Sequence, residues 1–482
     1  MTDIAFHSAK RLAAMVRRRQ IGCVELLDHF IARVGKHDAQ INAVVVRDFE
    51  RARKRARALD RANTPAGALH GVPMTVKESF DIAGLPTTWG VPEKRNDIAT
   101  RNALAVDRLL GVGAVVFGKT NVPRMLGDWQ SFNDVYGTTN NPWNVASSPG
   151  GSSGGGAAAL AAGLTGLETG SDIGGSIRQP AHACGVFGHK PTWGLLPPRG
   201  HAPVPDVASM VDIAVIGPLA RSAEDLQIAF DIMAGPDEAE TDMRYALPAP
   251  RATTLAGLRV AVWAEDAATH TDAEITAALQ ALARMLRREG AKVSLTARPA
   301  FDPATAFEVY LKLLSAALTA RATAEELAGI AERVRGYAPD DRSADAVIAR
   351  AAGLSHGDWV GLNERRHRIR RAWGAFFQEW DVLLCPVHAL PALPHRHEAP
   401  TTELRIAVNS TDIPWNDMLF WPGITCAYHL PASTAPLGMT HRGLPVGVQI
   451  VGPLYGDRTT LAVARMLEKS WRAFDPPPGY DA

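Results

Sequence analysis

The amino-acid sequence predicts an α/β fold: a single large α/β/α domain with a central mixed, mainly parallel β-sheet covered by helices. The clearest evidence is the order strand, helix, strand in 258-LRVAVW-263, 272-DAEITAALQALARMLRREG-290 and 292-KVSL-295. Two parallel strands need such a crossover, which is almost always right-handed. The apolar segments 381-DVLLC-385 and 446-VGVQIVG-452 are expected to extend the same sheet. The composition, 46% apolar and 21% charged, is that of a globular chain with a large core.

Other elements are predicted before this unit. Residues 8–35 carry apolar side chains at helical spacing, with Ser8 as a plausible N-cap and Gly22 between two segments. We expect a helical hairpin that packs on the outside of the main body. The segments 112-VGAVVFG-118 and 211-VDIAVIG-217 have the apolar texture of buried strands.

Charge and hydropathy argue against nucleic-acid and membrane partners. The net charge is +1, and the basic stretches 51-RARKRARALDR-61 and 365-RRHRIRR-371 lack interleaved aromatics, so we interpret them as solvated helix faces. The N-terminal segment lacks the apolar core and cleavage site of a secretory signal. The longest weakly polar run, residues 157–167, is far shorter than the ~20 residues of a membrane helix. A cytoplasmic location is expected.

The sequence predicts no metal and no cofactor. Histidines show no metal-ligand spacing, and there is no HExxH motif. The four cysteines are scattered, with no CxxC pair and no disulfide framework; they are Cys23, Cys184, Cys385 and Cys426.

The most informative stretch is 149-PGGSSGGGAAALAAGLTGLETGSDIGGSIRQP-180. A flexible Gly/Ser linker is one interpretation, but linkers do not enclose an Ala/Leu helix such as 157-AAALAAGL-164. A phosphate-binding loop is another, but the GK[ST] ending and the GxGxxG pattern after a strand are both missing.

Residues 150–154 also satisfy GxSxG, the nucleophile elbow of α/β-hydrolases, with Ser152 as the nucleophile. That motif works on a sharp turn between a buried strand and a helix. The preceding 140-NNPWNVASSP-149 consists of turn formers with two prolines, which do not form a central strand. The context of an elbow is therefore missing.

Read together, the motifs resemble the amidase signature family, the Ser-cisSer-Lys amidases, which include members similar to fatty-acid amide hydrolases and aryl acylamidases. The central ones are 76-VKES-79, 150-GGSSGG-155 and 170-GSDIGGSIRQP-180. Ser152 follows Lys77 by 75 residues and precedes Ser176 by 24, as in that family. Supporting segments are 118-GKTNVP-123, 137-GTTNNPW-143, 188-GHKPTWG-194, 217-GPLAR-221 and 443-GLPVGVQIVGP-453. One departure is Ser171, where the family more often has Thr.

The resemblance implies a catalytic set of Lys77, Ser152 and Ser176. Ser176 is the implied nucleophile, and Ser152, in a cis peptide, relays its proton to Lys77. A serine hydroxyl needs a base to attack, and burial beside apolar groups can lower a lysine pKa from about 10.4 by several units.

The backbone N–H groups of Ile173, Gly174 and Gly175 are the implied oxyanion hole. Glycine permits the dihedrals that bring successive amides to one oxygen. We interpret Asp172 and Arg178 as structural partners of this loop.

Substrate-binding residues are expected among Met125, Leu126 and Trp129, because relatives often line their substrate channel after GKTNVP. A second aromatic group either closes the other side of the pocket or belongs to the core; it comprises Trp415, Phe420 and Trp421. Apolar walls favour apolar aliphatic or aryl amides, extending to esters or carbamates.

We therefore expect one amidase domain over residues 1–482: a helical segment (1–65), the signature core (66–235) and the rest of the α/β body (236–482), with a helical excursion at 305–375. The expected partner is a small amide substrate, with a homodimer as one candidate assembly. Three alternatives stay open: the glutaminase subunit of the tRNA-dependent amidotransferase, a GxSxG esterase that uses Ser152, and a non-catalytic scaffold on the same fold.

Overall fold

The computed structural model describes residues 3–204, 207–240 and 242–481. Within these ranges the strands are β1 (Val44–Arg47), β2 (Pro73–Lys77), β3 (Val115–Thr120), β4 (Phe132–Asn133), β5 (Gly137–Thr138), β6 (Glu168–Asp172), β7 (Phe187–Lys190), β8 (Val215–Ala220), β9 (Arg259–Val262), β10 (Lys292–Ser294), β11 (Val382–Pro386), β12 (Arg405–Val408), β13 (Thr411–Pro414), β14 (Ala432–Met439) and β15 (Pro445–Val451). The α-helices are α1 (Ala9–Arg17), α2 (Cys23–Ile41), α3 (Phe49–Asp60), α4 (Leu104–Gly111), α5 (Gly154–Ala161), α6 (Arg178–Cys184), α7 (Ala223–Met233), α8 (Ala273–Arg288), α9 (Pro303–Thr319), α10 (Ala324–Val334), α11 (Ala344–Arg350), α12 (His356–Glu379), α13 (Phe420–Cys426) and α14 (Asp457–Ser470).

The central sheet has eight strands in the order β10-β9-β11-β15-β14-β7-β8-β6. The α/β class and the mixed sheet are confirmed, and β9, α8 and β10 form the predicted parallel unit. The expectation of a mainly parallel sheet is wrong: only β10–β9 and β9–β11 are parallel, and the other neighbours are antiparallel. The reason lies partly in short connections such as the 440–444 turn between β14 and β15, because a tight turn can only join antiparallel neighbours.

A second sheet of three strands, in the order β1-β3-β2, lies beside the central one. The predicted strand at 112–118 belongs here as β3, which begins at Val115. β2 pairs with β3 in parallel, and Lys77 is the last residue of β2. This sheet therefore brings Lys77 to the edge of the Gly/Ser-rich segment.

Helices cover the central sheet on both faces. The side chains of β11 alternate between the two cores: Val382 and Leu384 pack in one, and Leu383 and Cys385 in the other. The first core contains the apolar faces of α8 and α14, and the second those of α9 and α12. This alternation is expected of a strand buried on both sides.

The N-terminal helices are more deeply integrated than an outer hairpin. Ser8 caps α1 as predicted, since its side chain accepts from the N–H of Arg11. Leu12 and Phe30 are fully buried in the first core. Asp225 of α7 accepts hydrogen bonds from the first two N–H groups of α1, which ties this segment to the main body.

None of the helices within the described ranges is long and apolar enough to cross a membrane. The four cysteines are buried and free.

Gly155→Ala is expected to lower the stability of the fold around the Gly/Ser-rich segment. A Cβ at Gly155 would lie 2.7 Å from the carbonyl oxygen of Asn121, and overpacking of this kind costs about 1–3 kcal/mol. Gly361→Ala in α12 is the matched control: its Cβ meets nothing within 4 Å, and we expect a gain of about 0.5–1 kcal/mol. Thermal unfolding midpoints measure both effects, and equal shifts in the two variants would contradict the packing described.

Candidate active site

Three segments meet at the candidate site: the end of β2, the turn that leads into α5, and the loop between β6 and α6. The turn needs glycine, because a Cβ at Gly151 would lie 2.8 Å from Trp129 Cα. The Gly151–Ser152 peptide is cis, as the resemblance implies. Ser152 follows no strand, so the structural context of a nucleophile elbow is absent from this described segment.

Lys77 is fully buried at the centre of the site. Its Nζ donates hydrogen bonds to Ser152 Oγ at 2.7 Å and to Ser171 Oγ at 2.9 Å. Burial lowers the pKa of Lys77 to about 7, although the carboxyl groups of Asp172 and Glu168 oppose this shift. A large fraction of this lysine is therefore a neutral amine at neutral pH.

Ser176 is buried, with 7% of its area exposed. Its backbone oxygen accepts from the N–H of Ser153 at 3.1 Å, which joins the two serine-bearing loops. Among the described residues its hydroxyl has no hydrogen-bond partner, so the Lys77–Ser152 link is formed and a Ser152–Ser176 link is not. Catalytic hydrogen bonds are often long before substrate binds and tighten in the complex.

Asp172 organises the loop that carries Ser176. Its carboxylate accepts from the N–H groups of Gly175 at 2.8 Å and Ile177 at 3.1 Å. Arg178 adds three hydrogen bonds to the carboxylate, from its guanidinium at 2.9 and 2.8 Å and from its backbone N–H at 3.4 Å. Burial alone would raise the pKa of Asp172, but the Arg178 guanidinium holds it well below its usual range. Both side chains are fully buried, so this loop is built around a permanent ion pair.

The free backbone N–H groups of this loop differ in one residue from the three predicted to form the oxyanion hole. Within the part of the chain that the structure describes, the N–H groups of Ile173, Gly174 and Ser176 donate to no protein acceptor. The N–H of Gly175 is taken up by Asp172. Sequence reasoning did not single out the Ser176 amide, although a nucleophile's own N–H is a plain candidate in any Gly-Gly-Ser turn.

A second buried acid, Glu168, lies behind Lys77. It accepts a hydrogen bond from Thr75 Oγ1 at 2.6 Å and one from the N–H of Thr169 at 3.0 Å. Burial raises the pKa of Glu168 to about 8, so the carboxyl is mostly protonated at neutral pH. Nothing in the sequence marked this buried glutamate as a neighbour of Lys77.

The three residues predicted to bind substrate differ in their surroundings. Trp129 is buried, and its Nε1 donates to the carbonyl oxygen of Gly174 at 3.0 Å, so it contacts the Ser176 loop directly. Met125 is 47% exposed, and both Met125 and Leu126 adopt positive φ angles, of 52° and 60°. Trp129 is therefore the member of this set that hydrogen bonds to the Ser176 loop.

The second aromatic group belongs to the core. Trp415, Phe420 and Trp421 are fully buried in the second hydrophobic cluster. Two neighbouring residues, Leu419 and Pro422, lie against the Ser176 loop instead. A Cβ built on Gly174 would be 3.1 Å from Leu419, and one built on Gly175 would be 2.9 Å from Pro422.

Tyr310 of α9 was not found by sequence reasoning. Its hydroxyl donates to the carbonyl oxygen of Ile173 at 3.2 Å. It is separated from Ile173 by 137 residues, and no motif marks it.

Comparisons with known proteins identify the family of the chain. The family described as Amidase matches residues 25–461. An acylamidase of Rhodococcus erythropolis is 34% identical, over 97% of this chain and 96% of its own length. A glutamyl-tRNA(Gln) amidotransferase component of Chromobacterium violaceum is 30% identical, over 97% of this chain and 98% of its own.

A solved structure of 6-aminohexanoate cyclic dimer hydrolase, complexed with substrate, superposes with a TM-score of 0.79 at 25% identity and covers 99% of both chains. The family match spans most of the chain. The chain therefore belongs to the amidase signature family and is an amide hydrolase.

Proposed function

We propose that the protein hydrolyses its substrate in two acyl-transfer steps, with Ser176 as nucleophile, Ser152 as proton relay and Lys77 as base. The observation that carries the proposal is the buried Lys77 amine, whose Nζ lies 2.7 Å from Ser152 Oγ and whose pKa is lowered to about 7 by burial. A base with a pKa near the working pH transfers protons efficiently in both directions.

In the first step Ser176 Oγ attacks the amide carbonyl carbon, and its proton passes to Ser152 as the Ser152 proton passes to Lys77. The relay then returns a proton to the leaving nitrogen, and the carbon–nitrogen bond breaks to give an ester on Ser176. In the second step the same relay takes a proton from a water molecule, which attacks the ester. This releases the carboxylic acid and restores the Ser176 hydroxyl. The relay requires the Ser176 hydroxyl to turn toward Ser152 when substrate is bound.

The tetrahedral oxyanion of each step is stabilised by the N–H groups of Ile173, Gly174 and Ser176. The free state of these three amides supports this assignment, whereas Gly175 serves the loop through its bond to Asp172. One donor of this kind is worth roughly 3–4 kcal/mol of transition-state stabilisation.

Apolar aliphatic or aryl amides are the proposed substrates. Trp129 and Leu419 lie against Gly174 and present apolar surface next to the nucleophile loop. The acylamidase relative is in keeping with such substrates. The amidotransferase relative supports a second candidate, a glutaminase that works within a larger complex.

Ser176→Ala is expected to lower kcat by about 10⁴- to 10⁶-fold, because no other hydroxyl can form the acyl-enzyme. Hydrolysis of an acyl anilide and covalent labelling by a serine-reactive phosphonate measure the effect. Ser152→Ala should also be slow, but it should retain the Ser176 site for labelling. Labelling of Ser152 in the Ser176→Ala protein, with activity preserved, would instead support a GxSxG esterase.

The rate should depend on pH through Lys77. The base must be neutral to accept a proton, so kcat/KM of a neutral amide should fall as pH decreases through about 7 and reach a plateau above it. A pH–rate profile from pH 5 to 9 with a non-ionising substrate measures this. A profile that is flat over this range, or one that keeps rising tenfold per pH unit up to pH 9, is inconsistent with the assignment of Lys77 as base.

A substrate panel separates the two candidate functions. We expect the purified chain alone to hydrolyse hexanamide and 4-nitroacetanilide with kcat/KM at least about 100-fold above that for glutamine, because an apolar wall leaves the charged groups of glutamine unpaired. The Ser176→Ala protein is the control for background hydrolysis. Preferred turnover of glutamine, or activity only with added partner proteins, would favour the glutaminase.

A further inference from the structure

A groove of about 260 Å³ lies between α12 and two turns of the chain, and it shares no residue with the candidate active site. Its walls are made by one face of α12 and by two leucines that follow α13 and β15. The lining residues are His367, Arg370, Arg371, Gly374, Phe377, Leu430 and Leu454.

Three basic side chains of α12 line one side of the groove. His367, Arg370 and Arg371 are spaced at i, i+3 and i+4, which places them on one face of the helix. In the described structure none of the three forms a hydrogen bond or an ion pair with another residue. No acidic residue is among the described residues that line the groove.

Two neighbouring arginines of the same helix are paired. Arg366 is buried and forms an ion pair with Asp212 at 2.8 Å, and Arg368 pairs with Glu364 at 3.4 Å. Of the unpaired basic side chains in 365–371, His367, Arg370 and Arg371 line the groove, and Arg365 is exposed outside it.

Like charges at this spacing repel one another. Burial, together with the nearby Arg370 and Arg366, lowers the pKa of His367. Burial and Arg366 likewise lower the pKa of Arg370, which is partly buried. An anion in the groove would relieve this repulsion.

The floor of the groove is apolar. Phe377 and Leu430 are almost fully buried, at 1% and 2% exposed, and Leu454 borders them. The groove, of about 260 Å³, suits a small ligand.

We propose that this groove is a second ligand site, which binds a small amphipathic anion: a carboxylate or phosphate monoester head held by Arg370 and Arg371, with a short apolar tail against the partly exposed Leu454. Guanidinium groups match the geometry of both heads. The site is independent of the amide hydrolysis proposed above.

Isothermal titration calorimetry of the whole protein with hexanoate, hexyl phosphate and hexanol tests the proposal. We expect one saturable site for at least one of the two anions and none for hexanol. Binding of hexanoate alone identifies a carboxylate ligand, and binding of hexyl phosphate alone identifies a phosphate ester; binding of both fits the shared chemistry.

The site is located by three single substitutions that each remove one charge from α12. Arg370→Gln and Arg371→Gln should each raise Kd about tenfold or more, since each removes a charged hydrogen-bond donor to the anion. Arg365→Gln is the matched control, because Arg365 is exposed, forms no ion pair with a described residue and does not line the groove. Arg371 is also exposed, so its variant is expected to fold.

Three results would overturn the proposal: absence of saturable anion binding, binding that all three variants retain, and an equal loss of affinity in Arg365→Gln. Retained binding would place the anion elsewhere, including the active site. An equal loss would show a general effect of net charge.

Discussion

The hydrogen bond from the buried Lys77 amine to Ser152 is the interaction on which the rest of the site depends. A fully buried ammonium is unfavourable unless it is paired, and desolvation lowers the pKa of a lysine for that reason. Two carboxyl groups lie close enough to Lys77 to oppose the shift. Glu168 is mostly protonated at neutral pH, and Asp172 is engaged with Arg178. Neither acid is a free counterion for Lys77, so the lysine can remain a neutral base.

The Asp172–Arg178 pair has the opposite character, since both partners stay charged. Arg178 also donates to Thr425 Oγ1 at 2.7 Å and to Gln449 Oε1. The pair thus connects the Ser176 loop to α13 and β15, which lie far away in the sequence. Breaking a buried pair by removing one partner costs about 3–5 kcal/mol, and the position of the loop amides depends on it.

Sequence reasoning performed best where chemistry is local. The lysine and the two serines lie in short motifs, and the geometry that brings Lys77 to Ser152 agrees with what the resemblance implied. Helices such as α1, with its Ser8 cap, follow from periodicity and N-cap preference. The orientation of the strands did not follow, because an apolar segment of five residues has the same pattern in a parallel or an antiparallel pair.

Contacts between distant segments were also beyond the sequence. Tyr310 and Leu419 reach the Ser176 loop from α9 and from the turn before α13, and neither lies in a motif. The aromatic group at 415–421 was left open between pocket and core, and burial assigns it to the core. The engagement of the Gly175 amide by Asp172 depends on the conformation of one turn, which glycine content alone does not determine.

The central claim is that the pKa of Lys77 lies near neutral pH, so that a large fraction of it is a neutral amine there. An NMR titration of the protein labelled with ¹³C and ¹⁵N at lysine, with the Lys77 signal assigned by comparison with Lys77→Met, measures this directly. The account predicts a midpoint near pH 7 for Lys77, well below those of surface lysines. A midpoint near 10, like that of an exposed lysine, would contradict the account, because the relay would then have no base.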